Sequence, residues 1–77
     1  SATLSSTFSF AGLETLNIAG RNVLCNVWQE EVTSTRPEKQ WQNTFWVDSA
    51  TGQVRQSRQM LGAGVIPVEM TFLKPAP

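Results

Sequence analysis

Few side chains in this sequence are equipped for chemistry, and their spacing keeps them from acting together. Histidine is absent, and Cys25 is the only cysteine. A thiolate nucleophile needs a neighbouring base or cation. With no Cys–His pair available, Cys25 reads as a small buried hydrophobe. No disulfide can form within the chain, and one thiol with scattered carboxylates does not make an ordinary zinc site. Neither a metal nor any other cofactor is expected. Glu30 and Glu31 are adjacent, which on a strand sends them to opposite faces. By themselves they are not the paired carboxylates of a glycosidase. Arg55 and Arg58 are likewise divided between two faces of one segment and form no single anion-binding fork. The remaining candidates are Trp28, Trp41 and Trp46. An indole combines a broad apolar face with a polar tip, which suits stacking on a sugar ring where amides and hydroxyls stand beside it.

The elements that must position these residues are strands. In TLSSTFSF, Leu4, Ser6, Phe8 and Phe10 alternate with Thr3, Ser5, Thr7 and Ser9, the period-two signature of a half-buried strand. Gly12 interrupts that run, and LETLNI follows as a second short strand with Leu16 and Ile18 on one face. AGRN is a turn, because Gly20 and Asn22 both tolerate positive φ. NVLCNVWQEEVTS is the longest strand, with Val23, Cys25 and Val27 on one face and Leu24, Asn26 and Trp28 on the other. Its three valines and flanking turns weigh against a helix. TRPEKQ collects charge around Pro37 as a solvated loop. WQNTFWVD puts Trp41, Asn43, Phe45 and Val47 together. QVRQSRQM is a polar strand, LGAG loosens the chain, and VIPVEMTFLK closes it. There Ile66, Val68, Met70 and Phe72 share a face, and Pro67 suits an edge or strand entry. The final PAP is expected to fray. About six strands with short links are antiparallel neighbours by default. The fold class is therefore all-β: a single domain over residues 1–77, an antiparallel meander curved into an open barrel or one layer of a sandwich.

FWVDSATGQVRQSRQ, Phe45 to Gln59, contains the sharpest corner. Asp48 at the start of a turn accepts hydrogen bonds from backbone amides two residues on. Gly52 supplies the left-handed conformation that longer hairpin loops use. With Ser49 to Gly52 as a four-residue loop, Asp48 faces Gln53, Val47 faces Val54 and Trp46 faces Arg55; a bulge would move that register by one. Asp48 and Gly52 are structural turn residues in this reading. Trp46 shares its strand face with Gln42 and Thr44, and in this register with Arg55, Ser57 and Gln59. Trp46, Gln42, Thr44 and Arg55 are the candidate binding residues. The competing reading packs Trp46 in the core or under the Arg55 guanidinium, and Trp28 and Trp41 read as core. Arg58 shares its face with Val54, Gln56 and Met60, a mixed face that marks an edge or a partly solvated interior.

WQNTFWVDSATGQVRQSRQ followed by VIPVEMTFLKP resembles the end of the YjbF family of bacterial outer-membrane lipoproteins, associated with the group-four capsule operon. Its motif is an aromatic-Val-Asp strand, a Thr-Gly turn, then a polar strand with two arginines, and the similarity runs the length of the chain. The resemblance implies the C-terminal portion of a longer lipoprotein, held by an N-terminal lipid on the periplasmic side of the outer membrane. It also implies a role in capsule or exopolysaccharide assembly or secretion. It offers no catalytic residues to transfer. Cys25 does not stand in for a lipidated cysteine, since it sits mid-strand without an apolar leader.

Composition narrows the partners. Six basic residues balance six acidic ones without a run of either sign, so no nucleic-acid footprint is present. No stretch approaches the roughly 20 apolar residues of a membrane-spanning helix. Membrane contact is expected only through a lipid anchor absent from this chain. The opening Ser-Ala-Thr-Leu-Ser-Ser lacks Met and a basic region, which points to a processed or truncated chain. A domain this small builds a thin core. The expected partners are therefore the missing N-terminal part of the same protein or a partner chain, with envelope polysaccharide or capsule-export proteins beyond it. The functional expectation is a non-enzymatic structural or binding module of the cell envelope. The alternative is a periplasmic carrier holding a lipid or lipid-linked sugar in a concave sheet.

Overall fold

The computed structural model describes residues 3–61 and 66–73 as one antiparallel sheet of five strands in sequential order. They are β1 (Leu4–Ile18), β2 (Arg21–Thr35), β3 (Glu38–Asp48), β4 (Val54–Leu61) and β5 (Ile66–Thr71). The sheet is open, because β1 and β5 are its two edges and do not pair with each other. It is one layer and not a closed barrel. Ser1 and Ala2, the GAG of LGAG with Val65, and Lys74 with the closing PAP lie outside the described residues.

Five strands stand where six were expected because Gly12 bends the first strand without ending it. Phe10 pairs with Trp28 and Gly12 with Val27, so Ala11 is the extra residue of a β-bulge. Gly12 holds φ at 116°, a conformation that glycine adopts and side-chain-bearing residues avoid. Beyond the bulge the alternation resumes one step displaced, and Leu13 joins the face of Phe8 and Phe10. A second bulge lies in β4. Val47 pairs with Val54 as expected, but Trp46 pairs with Gln56 and not with Arg55. Arg55 is the inserted residue, so Ser57 falls opposite Phe45. Ser57 and Gln59 therefore leave the Trp46 face, and Gln56 and Arg58 join it. Val54, before the insertion, lies with Val47 on the opposite face from Arg58.

The turns are tighter than the composition implied. Ile18 pairs with Arg21, which leaves Ala19 (φ 51°) and Gly20 (φ 79°) as a two-residue hairpin loop. Two positive φ values in succession match the twist of the flanking strands. Asn22 is already in β2. The charged loop around Pro37 contracts in the same way, with Glu38, Lys39 and Gln40 in β3 and only Arg36 and Pro37 at the turn.

Alternation then divides the side chains. One face carries Phe10, Trp28, Phe45 and Met70 in register across the sheet, joined by Leu13, Leu24, Val47 and Val54. The other carries Cys25 beside Asp48, Val27 beside Trp46, Gln29 beside Thr44 and Glu31 beside Gln42. Among the described residues only Ile18, Cys25 and Val32 are buried hydrophobics. The radius of gyration, 14.1 Å, exceeds the roughly 11.5 Å of a compact domain this long. A single layer encloses no common core.

Gly52 at φ 76° sits at the end of the Asp48 corner, and a Cβ added there meets nothing within 4 Å. The strain of Gly52→Val is therefore conformational and not steric. The substitution is expected to lower stability by about 1–2 kcal/mol, measured by denaturant unfolding; a loss below a few tenths would show that the corner tolerates an ordinary side chain.

Candidate functional site

The polar face is built from short cross-strand contacts. Gln42 donates through Nε2 to Gln29 Oε1 at 3.2 Å and to Glu31 Oε1 at 3.5 Å. Thr44 stands between Gln29 on β2 and Arg58 on β4. Arg58 reaches Glu69 at 3.5 Å with both side chains mostly exposed, a pairing worth little to stability. Thr71 donates through its hydroxyl to Gln56 Oε1 at 3.4 Å. Amides, hydroxyls and charges thus run in a continuous band across β2 to β5.

Trp46 stands at the head of this band. It is half-buried, and its Nε1–H donates to Glu14 Oε2 at 2.7 Å. Glu14 lies on β1, two strands away, in the row of Cys25 and Asp48. The bond spans β2 and satisfies the polar tip of the indole. Nothing in the sequence marked this partnership, since 32 residues separate the pair. Trp46 lies on the opposite face from Trp28 and Trp41. Trp28 makes an edge-on contact with Phe10 at 5.5 Å between ring centroids, and Trp41 is half-buried opposite Val32.

Arg55 occupies a different environment from the other binding candidates. It is only 8% exposed. Its guanidinium pairs with Asp48 Oδ2 at 3.4 Å and donates to the carbonyls of Phe72 (3.3 Å) and Leu73 (3.4 Å). The backbone repeats the tie, with Phe72 N–H donating to Arg55 O at 2.7 Å. The bulge explains this placement: the inserted residue sits in the ladder beside Asp48 and not opposite Trp46. Arg55 holds the corner to the end of β5, its guanidinium engaged by Asp48 and the two carbonyls.

Asp48 is the hub of the corner. Its Oδ1 accepts from Ala50 N–H at 2.8 Å and Thr51 N–H at 3.4 Å, while its other oxygen takes Arg55. Its backbone completes the loop, pairing with Gln53 O and Gly52 N–H at 2.8 Å each. The Ala50 amide is the largest influence holding the Asp48 carboxyl below its ordinary range, with Thr51 and Arg55 adding to it against the opposing effect of burial. Cys25, beside Asp48 in register, is fully buried. Burial is the main cause that pushes its thiol above the ordinary value; the Asp48 carboxylate adds to the rise and Arg55 opposes it. A protonated, enclosed thiol is not a nucleophile.

Asn43 is a structural polar residue that strand alternation could not distinguish from its apolar neighbours. It is buried on the apolar face, donating to Glu30 Oε1 at 2.9 Å and accepting from Met60 N–H at 2.7 Å. Its amide takes over a backbone contact and joins β2, β3 and β4. On the same face Phe8, Trp28, Phe45, Val47 and Val54 line a shallow apolar groove of about 270 Å³. A larger groove of about 690 Å³ lies at the end of the sheet, between the Ala19 turn and the Asp48 corner, with Arg55 and Leu73 in its wall. Among the described residues no group of three or more histidine, cysteine, aspartate or glutamate side chains could hold a metal ion. No described helix is long and apolar enough to cross a membrane.

Comparison with known proteins adds to this geometry. The sequence profile of the family described as "Group 4 capsule polysaccharide lipoprotein gfcB, YjbF" matches residues 1–73. The chain is also similar to a protein of Escherichia coli (strain K12) named "Uncharacterized lipoprotein YjbF", with 39% identity over 75 residues. That match covers 97% of this chain and 34% of the relative, so the chain spans about a third of the length of the protein it matches.

Two measurements check the corner. A carboxyl whose folded pKa is depressed contributes stability at pH values above its unfolded pKa, about 3.9 for aspartate. That contribution is lost as pH falls through the lower folded value. Stability is therefore expected to decline below about pH 4, and Asp48→Asn, which keeps an acceptor for Ala50 but loses the charge, should flatten the decline. Denaturant midpoints across pH 2–6 read this, and an unaltered slope in Asp48→Asn would assign the acid sensitivity to another group. Cys25 should react with a thiol reagent at least tenfold more slowly in the native protein than after denaturation; similar rates would place it at the surface.

Proposed function

The chain belongs to the YjbF family, and on that footing we propose that it is a non-enzymatic β-module of a capsule-associated envelope lipoprotein whose polar face contacts polysaccharide. The observation that carries this reading is Trp46, half-buried and bonded to Glu14 at the head of a band of amides and hydroxyls. A sugar ring stacks on an aromatic plane, while its hydroxyls require donors and acceptors of both kinds beside it. Gln42, Thr44, Gln29 and Gln56 supply both, and Arg58 adds a charge suited to an acidic sugar. Arg55 is occupied by Asp48 and the end of β5 and stands beside that surface as a structural tie.

Of the six acidic residues, five are engaged by neighbours: Glu14 by Trp46, Glu30 by Asn43, Glu31 by Gln42, Asp48 by Arg55 and Glu69 by Arg58. Carboxylates so occupied support a scaffold or binding role over general acid–base chemistry, which requires a group free to exchange its proton with a substrate. In this reading the chain is one domain, the C-terminal part of a longer lipoprotein on the periplasmic side of the outer membrane. Capsule polysaccharide and capsule-export proteins are its partners.

A second reading, a carrier of a lipid or lipid-linked sugar, is favoured by the apolar groove at Phe8, Trp28 and Phe45. Its volume of about 270 Å³ falls below the roughly 300 Å³ at which small-molecule pockets begin. The polar face is the better-supported site.

Titration of purified capsule polysaccharide against the protein tests the proposal. Trp46→Ala is expected to weaken binding about tenfold, equivalent to about 1.4 kcal/mol. Its unfolding free energy should fall by less than the roughly 3–5 kcal/mol typical of truncating a fully buried aromatic residue. Unchanged affinity would remove Trp46 from the binding surface, and a stability loss in the larger range would return it to a packing role.

A further inference from the structure

We propose that the apolar face of the sheet is an interaction surface whose occupant is a second β-layer, formed by another part of the same polypeptide in a protein of the relative's length. Among the described residues twelve large apolar side chains remain exposed, and ten of them project from this one face. Leu13 is 62% exposed, Ile66 56% and Phe10 54%. Apolar patches this continuous mark contacts and not free surface. The structure extends 44 × 21 × 21 Å, which gives the sheet a face comparable with the roughly 800 Å² that each partner contributes to a stable interface.

The choice of occupant rests on two observations. The relative is matched over 34% of its length, leaving about two-thirds outside the match, enough chain for another sheet. The edges of this sheet are also unequally protected. β5 is six residues long and carries Pro67 and Glu69, two devices that discourage further pairing. β1 is fifteen residues long, with no proline or lysine and Glu14 as its one charge. An edge of that length, interrupted only by the Ala11 bulge, beside an apolar face is where a neighbouring strand would join and fold over. Among the described residues the face carries two charges, Glu30, already bonded to Asn43, and Lys39 at the far end beside the Pro37 turn. Two sheets packed at about 10 Å, each wet on its outer side, complete the structure.

Hydroxyl-radical footprinting tests this on two proteins: the 77-residue chain in dilute solution, and a graft in which residues 1–73 replace the matched segment of the E. coli relative. In the graft Phe10, Trp28 and Met70 are expected to oxidise at least tenfold more slowly than in the chain alone, with Trp46 oxidising at the same rate in both. Equal rates at Phe10, Trp28 and Met70 overturn the proposal. Protection already present in the chain alone and relieved by dilution would assign the face to a second copy. Protection appearing only with vesicles of phosphatidylethanolamine and phosphatidylglycerol would assign it to acyl chains; either result overturns the proposal. A second arm avoids reliance on the graft folding. The unmatched part of the relative is produced in the same cell as residues 1–77, as a separate polypeptide. Co-purification is expected, falling at least tenfold with Leu13→Glu combined with Ile66→Glu. No co-purification, or co-purification indifferent to those charges, overturns the proposal.

Discussion

A β-sheet one layer thick has two faces and no interior, and that constraint governs the rest of this structure. Ordering the backbone carries a conformational cost that only burial can offset. A lone layer buries little: Ile18, Cys25 and Val32 are its only enclosed hydrophobic side chains among the described residues. The sequence meets the constraint by sorting its residues. Phenylalanine and tryptophan collect on one face, glutamine, threonine and charge on the other, and strand alternation keeps them apart. Trp46 is the exception on the polar side. Its engagement with Glu14 satisfies the indole nitrogen and leaves the ring plane as the one broad apolar element in a hydrophilic band.

Local order in such a layer depends on specific polar ties more than on packing. Asp48 gathers two amides and a guanidinium, and Arg55 extends the network to the carbonyls of Phe72 and Leu73. The corner between β3 and β4 is thereby fastened to the end of β5. Asn43 does the same in mid-sheet with one amide group. Both networks are satisfied internally, which is the condition for burying polar groups without penalty.

Much of this was legible from residue types alone. Period-two alternation assigned the faces of Val23, Cys25 and Val27 correctly, and those of Trp41, Asn43, Phe45 and Val47. The Asp-to-Gly spacing located the corner, with Val47 opposite Val54. The bulges were not legible. Gly12 looked like a strand end because glycine punctuates loops and bulges alike, and nothing near Val54 announces an inserted residue. One insertion moved Arg55 from the Trp46 surface into the Asp48 network and exchanged Ser57 and Gln59 for Gln56 and Arg58. The Trp46–Glu14 bond was beyond reach because it spans two strands, and sequence patterns report neighbours along one strand only. The family resemblance pointed to the same hairpin, and the match over residues 1–73 places the chain in that family.

The two bulges share one transverse row. Gly12, Val27, Trp46 and Gln56 stand side by side across β1 to β4, with an extra residue inserted next to the row in β1 and again in β4. A ladder interrupted on both sides of the same line has a crease. On one side lies the Asp48 corner with its fastened ends; on the other, the long arm of β1, β2 and β3 runs out to the Pro37 turn. Each bulge bends its strand and sharpens the local twist, so the change of direction between arm and corner is concentrated at the row that carries Trp46.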